Sequence, residues 1–386
     1  MSAAARTTAG VVVEPAASPS DIEQFIRFPF ELYRGAAHWV PPLLMERRAF
    51  LDPRKNPVFE YARVQPFLAR RAGRVVGTIC AVRNDRYNEY HPEDAHVGFF
   101  GLFECADDPD AARALFDAAG AWLVREGRSV MRGPVNLTTN DVLGLLIEGF
   151  DDDPALLMPY NLPYAAALFD GAGFVKSKDL LSFELRSEQC REGQILEKIA
   201  QRILARGRCT IRQVDLKHFR DEIEFVRRCY NEAWKDNWGF VPWTDREMEF
   251  MAKELKPLVD PRVALVGLVD GKPAGISISV PDANQAMKPL NGRLFPFGIV
   301  RLLWKLKVKG CNRLRVAALG VLPEHRRLGL DVLFIWKTIV NGLPLGFTTS
   351  ELGWILEDNE AMISPLTNIG ARPTKRFRIY DRPTAG

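Results

Sequence analysis

The turn Leu322-Pro323-Glu324-His325-Arg326-Arg327-Leu328-Gly329-Leu330-Asp331 holds the densest potential for chemistry in the chain. It joins a buried-strand pattern at 314–321 to an apolar helical run at 332–340. A glycine at the tightest point of such a turn, feeding a helix N-terminus, leaves several backbone N–H groups aimed at one spot. The helix dipole adds positive potential there. That is an anion site, and the flanking arginines suit a diphosphate. The plainer reading is a glycine-containing turn lined by surface arginines.

The elements that must position this turn follow a plan that occurs twice. In the first half, Ser20-Asp21-Ile22-Glu23 has the form of a capping box and predicts a helix start. A hairpin follows at 64–83, turning at Ala72-Gly73-Arg74, then a strand at 97–105 and an amphipathic helix at 109–126. Strands at 130–135 and 180–185 bracket a short helix at 164–170. The second half repeats the order: a strand at 210–214, a helix at 218–234, and a hairpin turning at Asp270-Gly271-Lys272. Strands at 314–321, 348–356 and 376–380 then alternate with helices at 330–341 and 359–368. The element order argues for an internal duplication. Two unrelated α/β domains with similar hairpins are the alternative. The expected layout is a disordered tail at 1–8, one domain at 9–190 and a second at 191–386.

Composition removes several function classes. The chain of 386 residues is 47% hydrophobic and 26% charged, with a net charge of only +4; nucleic-acid binding usually needs a strongly basic face. Cys80, Cys105, Cys190, Cys209, Cys229 and Cys311 stand singly, so neither a zinc site nor a disulfide framework is expected. The five histidines form no HExxH pattern. No metal is expected. The first twenty residues lack the apolar core of a secretory leader, and no run approaches the ~20 apolar residues of a spanning helix. A cytoplasmic protein, peripheral at most to the inner face of the membrane, is expected.

At Arg326-x-x-Gly329-x-Asp331 the sequence resembles the Q/R-x-x-G-x-G/A signature of the GNAT superfamily of acyltransferases, between a fourth strand and a third helix as in that family. The resemblance implies two tandem GNAT-like domains, each a mixed, largely antiparallel twisted α/β sheet flanked by helices. It covers the second half fully and the first in element order. It also implies that the amides of Arg326, Arg327, Leu328, Gly329, Leu330 and Asp331 bind the pyrophosphate of coenzyme A. Leu319, Gly320 and Val321 would bond the pantetheine arm, and Asn359 would contact the cofactor. The donor substrate implied is acyl-coenzyme A. Two positions depart from the family. Asp331 replaces Gly or Ala, placing a negative charge near the phosphates or serving as a helix cap. Leu366 stands where many members carry the tyrosine that protonates the leaving thiolate. Proton delivery is thus unassigned, with Tyr380 a candidate. The first half's equivalent loop, Glu104-Cys105-Ala106-Asp107-Asp108-Pro109-Asp110, is acidic and would repel a pyrophosphate.

Acyl transfer to an amine needs a carboxylate, direct or through water, to take the proton, and a backbone N–H for the oxyanion. Alternation puts Glu351, Gly353, Ile355 and Glu357 on one strand face, so Glu357 and Glu351 are the base candidates, against the reading of plain strand carboxylates. Asn237, Trp238 and Phe240 in the irregular turn after 234, with Asn136 and Asn140 in another polar turn, are candidates for the substrate wall; packing and turn formation are the alternatives. The segment 294–309 mixes bulky apolar residues with Arg301, Lys305, Lys307 and Lys309. It suits a membrane interface, a cap on an acyl-chain tunnel, or packing against the first domain. The first two readings extend the acceptor from a small-molecule amine to a lipid amine, as in bacterial ceramide-synthase-like enzymes. The rival to an enzyme is a non-catalytic protein that senses acyl-coenzyme A or lipid.

Overall fold

The computed structural model describes residues 6–8, 10–189 and 193–384. Packing divides the chain into two compact units: Met1–Leu180 with Asn291–Arg293 and Lys375–Gly386, and Leu181–Leu290 with Leu294–Thr374.

The first unit opens with β1 (Arg6–Thr8) and β2 (Val11–Pro15), α1 (Pro19–Leu32) and α2 (Leu44–Phe50). Arg6–Thr8, expected in a disordered tail, instead pairs antiparallel with Val11–Val13. β3 (Ala62–Arg71) and β4 (Arg74–Asn84) form the hairpin, followed by α3 (Asp85–Tyr90), β5 (Val97–Cys105), α4 (Pro109–Arg125) and β6 (Val130–Gly133). β7 (Leu145–Glu148), α5 (Ala165–Gly171) and β8 (Val175–Arg186) complete the first half, β8 passing into the second unit at Leu181. α1 starts two residues earlier than the sequence pattern suggests. Ser18 is the N-cap, its hydroxyl accepting from the Asp21 N–H while the Asp21 carboxylate accepts from the Ser18 N–H. Pro19 then fills the first helical position, where no N–H is needed.

The second unit adds α6 (Gly193–Ala205), β9 (Cys209–Gln213), α7 (Phe219–Ala233), α8 (Asp245–Leu255), β10 (Ala264–Val269) and β11 (Lys272–Pro281). α9 (Asn284–Met287) and α10 (Gly298–Trp304) precede β12 (Arg313–Val321), α11 (Leu330–Gly342), β13 (Thr349–Leu356) and α12 (Glu360–Asn368). Last comes β14 (Arg372–Pro383), which from Lys375 belongs to the first unit.

Each unit is a mixed sheet with helices on its faces. Strands run β1-β2-β3-β4-β5-β6-β14 in the first unit and β8-β13-β12-β11-β10-β9 in the second. β1 to β5 pair antiparallel in turn, as do β6 with β14 and β9 to β12, whereas β5 with β6 and β12 with β13 are parallel. The hairpins match closely: φ is 47° and 78° at Ala72 and Gly73, and 48° and 79° at Asp270 and Gly271. The first core packs β2–β5 against α4 and α5 through Ile79, Phe100, Leu115, Phe116 and Phe169. The second packs α6 and α11 on the sheet through Ala200, Leu265, Leu333 and Phe334.

Charge closes the junction of β6 and β14. The Arg132 guanidinium, 8% exposed, donates to both oxygens of Asp381 at 2.8 and 2.9 Å and also to Tyr87 and Asp94. Burial pushes the Asp94 carboxyl up, but the bonds from Tyr87 and Arg132 outweigh it and hold the group below its ordinary value. Asp179, likewise buried, is held down by Arg378 and Lys176. Carboxyls depressed in the folded state contribute stability above their unfolded pKa and lose it as pH falls. Urea melts should therefore show stability declining below about pH 4. Asp381→Asn should cost about 1–3 kcal/mol at neutral pH, because it leaves a buried guanidinium short of its partner.

Candidate functional site

The site grows from one irregularity in β12. Along β11 the register runs from Gly275 opposite Val321 to Ile278 opposite Ala318, then shifts so that Ser279 faces Val316. Ala317 is therefore a β-bulge, which bends the strand and re-aims its edge. On the other side β12 pairs with β13 only from Arg313 with Thr349 to Val316 with Leu352. Beyond that pair the strands part, and residues 317–321 present an edge that β13 does not cover.

The open edge runs into the loop. After a turn at Pro323–His325, Arg327 takes φ 71° and Gly329, the N-cap of α11, takes φ 89°. No side chain caps this helix. Among the described residues, the backbone N–H groups of Arg327, Leu328, Gly329, Leu330, Asp331 and Val332 find no protein acceptor. Six open donors at one helix start, with the dipole behind them, make the potential there positive. Gly329 is required twice over: its φ is left-handed, and an added Cβ would lie 2.5 Å from Cδ1 of Ile203 on α6. Asp331 is exposed in the first helical turn and does not act as the cap, which corrects that reading. Arg326 donates to the Ala233 carbonyl at 2.9 Å, so its guanidinium is pinned to the C-terminal end of α7 beside the loop. At Gly320 a Cβ would lie 2.4 Å from the Trp234 ring, which closes one side of the strand edge.

At the apex of the wedge lies a buried charge cluster. Glu351 has no exposed surface, accepts from the Ser182 hydroxyl at 2.6 Å, and stands in register with Arg315. Burial pushes the Arg315 guanidinium down to about 10, opposed by the Glu351 carboxylate. Its Nη1 reaches the Val316 carbonyl, while its Nε is buried without an acceptor. Arg313 pairs with buried Asp282 at 2.7 Å. Glu357 sits half-buried just past the end of β13, and Asn359 opens α12 with its side chain making no cap bond. Leu366 is core, 4% exposed.

The remaining candidates fall in three places. Asn237, Trp238 and Phe240 follow α7, where the chain turns through bonds from Asn237 N–H to the Trp234 carbonyl and Phe240 N–H to the Asn237 carbonyl. Trp234, Phe240 and Trp243 surround Tyr230 there, whose hydroxyl burial pushes up to about 12. Tyr380 belongs to the first unit, 2% exposed and packed against Phe169 and Phe174. Asn136 and Asn140 also belong to the first unit. Asn140 lies in the turn after Thr138, its N–H directed at the Thr138 hydroxyl at 3.5 Å.

The Asn136 contact shows what became of the corresponding wedge in the first unit. There too β5 is bulged just past its last parallel pair, Phe99 with Arg132. The gap is filled by the chain itself: Val135 N–H donates to the Phe100 carbonyl, and the Leu102 N–H donates to the Asn136 side chain at 2.8 Å. The α4 N-terminus is capped by the Asp108 carboxylate, itself held by Arg71. Asn136 is thus a structural plug. Burial pushes the neighbouring Glu104 carboxyl up to about 7, against the hydrogen bond it accepts from Tyr33.

No family model matches the chain. It is 36% identical over 383 residues to a protein of Caulobacter vibrioides named bacterial ceramide synthase, covering 97% of this chain and 98% of that protein. It is 36% identical over 370 residues to protein YghO of Escherichia coli, covering 94% and 93%. Among solved structures, a tandem GNAT protein from the clavulanic acid pathway superposes with a TM-score of 0.56 at 14% identity, covering 97% of this chain and 99% of that one. A probable N-acyltransferase from Enterococcus faecalis gives 0.52 at 9% identity, covering 98% and 73%. The chain belongs to one family with these two relatives, and its fold is that of the tandem GNAT proteins. The name of the Caulobacter relative and the GNAT fold together support an acyltransferase. Among the described residues, no helix is long and apolar enough to cross a membrane.

Sequence reasoning missed the bulge at Ala317, the contact from Ile203 and the bond from Ser182; the apolar run at 314–321 carries no mark of any of them. Gly329→Ala should destabilise the second unit by about 1–3 kcal/mol through the forced φ and the clash. Adding Ile203→Ala should restore part of that loss, and chemical denaturation of both variants measures the coupling.

Proposed function

We propose that this GNAT protein transfers an acyl group from acyl-coenzyme A to a primary amine at the wedge between β12 and β13. The uncapped loop carries the proposal: six unsatisfied N–H donors beside Arg326 and Arg327 suit a diphosphate. The edge of Leu319, Gly320 and Val321 would take the pantetheine amides, with the free Asn359 side chain near the mouth. From Val321 back to Val316 is about 17 Å of strand, comparable with an extended pantetheine arm. The thioester would then lie at the apex, beside Glu351 and Arg315. A backbone N–H of the bulged strand there would serve the oxyanion.

This placement favours Glu351 over Glu357 as the group that takes the amine proton, directly or through water. Glu357, at the far end of β13, would flank the arm instead. Asn237, Trp238 and Phe240 remain the proposed acceptor wall. The relative named bacterial ceramide synthase supports a lipid amine and a long acyl group, although small amines share the chemistry. Leu366 supports the rival reading of a binding protein, since it supplies no acid for the thiolate.

Calorimetry with acetyl- and palmitoyl-coenzyme A should show one donor bound per chain, with Arg326→Glu weakening it roughly tenfold or more. Thiol release with sphingoid and simple amines should follow binding; tight binding without turnover on any amine would leave the sensor. Glu351→Gln should lower kcat by roughly 10²–10⁴ while the donor dissociation constant stays unchanged. An unchanged kcat would transfer the role to Glu357. A thermal melt checks that loss of the charge beside Arg315 has not unfolded the unit.

A further inference from the structure

We infer that residues 295–308 form a docking surface for an anionic lipid bilayer. The lipid-amine reading asks for a membrane-facing surface, and this segment has the required chemistry. α10 turns its apolar side outward. Ile299, Val300, Leu303 and Trp304 are all exposed and fall within an arc of about 140° on the helix, while Leu302 on the opposite side is half-buried. Phe295 and Phe297 before the helix are each 71% exposed, and Val308 after it is 70% exposed. Water-facing helix sides are ordinarily polar, so an outward apolar side of this extent marks an interaction surface.

Charge selects the partner. From Asp282 to Glu324 the chain contains no Asp or Glu, while Lys288, Arg293, Arg301, Lys305, Lys307, Lys309, Arg313 and Arg315 all fall between. Arg301 is exposed on the flank of the apolar arc. Lys305 donates to the Gln285 carbonyl and ties the segment to α9. The side chains of Lys307 and Lys309 lie outside the described residues. An apolar arc with Trp and Phe at its edges and cations without carboxylates matches the boundary between acyl chains and anionic headgroups. A protein partner would more often be met with mixed charge at the rim.

The inference extends the lipid-amine reading but is tested apart from it, because vesicle binding needs neither donor nor amine. The full chain is sedimented with phosphatidylcholine vesicles and with vesicles containing about a third phosphatidylglycerol. It should partition onto the anionic vesicles, and Phe297→Glu with Trp304→Glu should reduce the partition coefficient roughly tenfold or more. Arg301→Glu should weaken binding to the anionic vesicles and leave neutral ones unaffected. Val308→Glu gives an independent variant should the double one fold poorly. Equal partitioning of wild type and variants, or none by either, would overturn the inference. So would a dimer in gel filtration that the double variant abolishes without any vesicle binding, since the surface would then join copies of the chain. If vesicle binding holds while donor binding fails, the acyl-transfer reading falls and the surface stands.

Discussion

The parting of β12 from β13 after Val316 and Leu352 is the constraint on which the rest of the second unit depends. A parallel pair gives up its ladder only when something compensates, because each unpaired N–H or C=O costs free energy when it is shielded from water. The Ala317 bulge turns the edge outward while β11 keeps its hold on the other side. Everything downstream then follows geometrically. The strand delivers the chain into a loop that must turn at Gly329 under Ile203, and the helix beyond starts with no cap. Polar groups are thus left open along the strand edge and at the helix start, the two places a long thioester with a diphosphate handle would use.

The first unit shows the same constraint resolved internally. Its bulged β5 also parts from β6, yet Val135 and the Asn136 side chain occupy the gap, and Asp108 occupies the helix start. The backbone plan is shared while the polar groups are satisfied by the protein itself. That contrast gives the uncapped loop in the second unit its meaning: a fold able to close this gap with its own residues has left it unclosed there.

Buried charge concentrates at the apex. Arg315, Glu351 and the Arg313–Asp282 pair lie in the sheet interior, where ions are expensive unless fully matched. A carboxylate held in such a place keeps a fixed position. The same arrangement ties β12, β13 and β8 together, since Ser182 reaches Glu351 from the neighbouring strand.

Local features were legible in the sequence. Period-2 runs and hairpin glycines marked the strands, and apolar helical runs bounded by Gly329 and Gly342 marked α11, because each depends on a few neighbouring residues. The glycine turn before α11 was legible for the same reason: glycine, arginines and a helix start lie within ten positions. The capping box was misplaced by two residues because Ser18 and Ser20 offer similar caps, and Pro19 decides between them. The exchange of final strands, β8 beside β13 and β14 beside β6, had no local sign, nor did the bulge at Ala317. Asn136 could be a substrate contact or a turn residue by sequence, and only the tertiary structure brings the Leu102 N–H against it. Alternation put Glu351 and Glu357 on one strand face, and only the tertiary structure encloses Glu351 beside Arg315 and leaves Glu357 half-buried past the strand end. Sequence alone therefore determined the elements and the glycine turn before α11. Tertiary structure decided which polar groups are already satisfied, because hydrogen-bond partners and strand neighbours come from residues far apart in the chain.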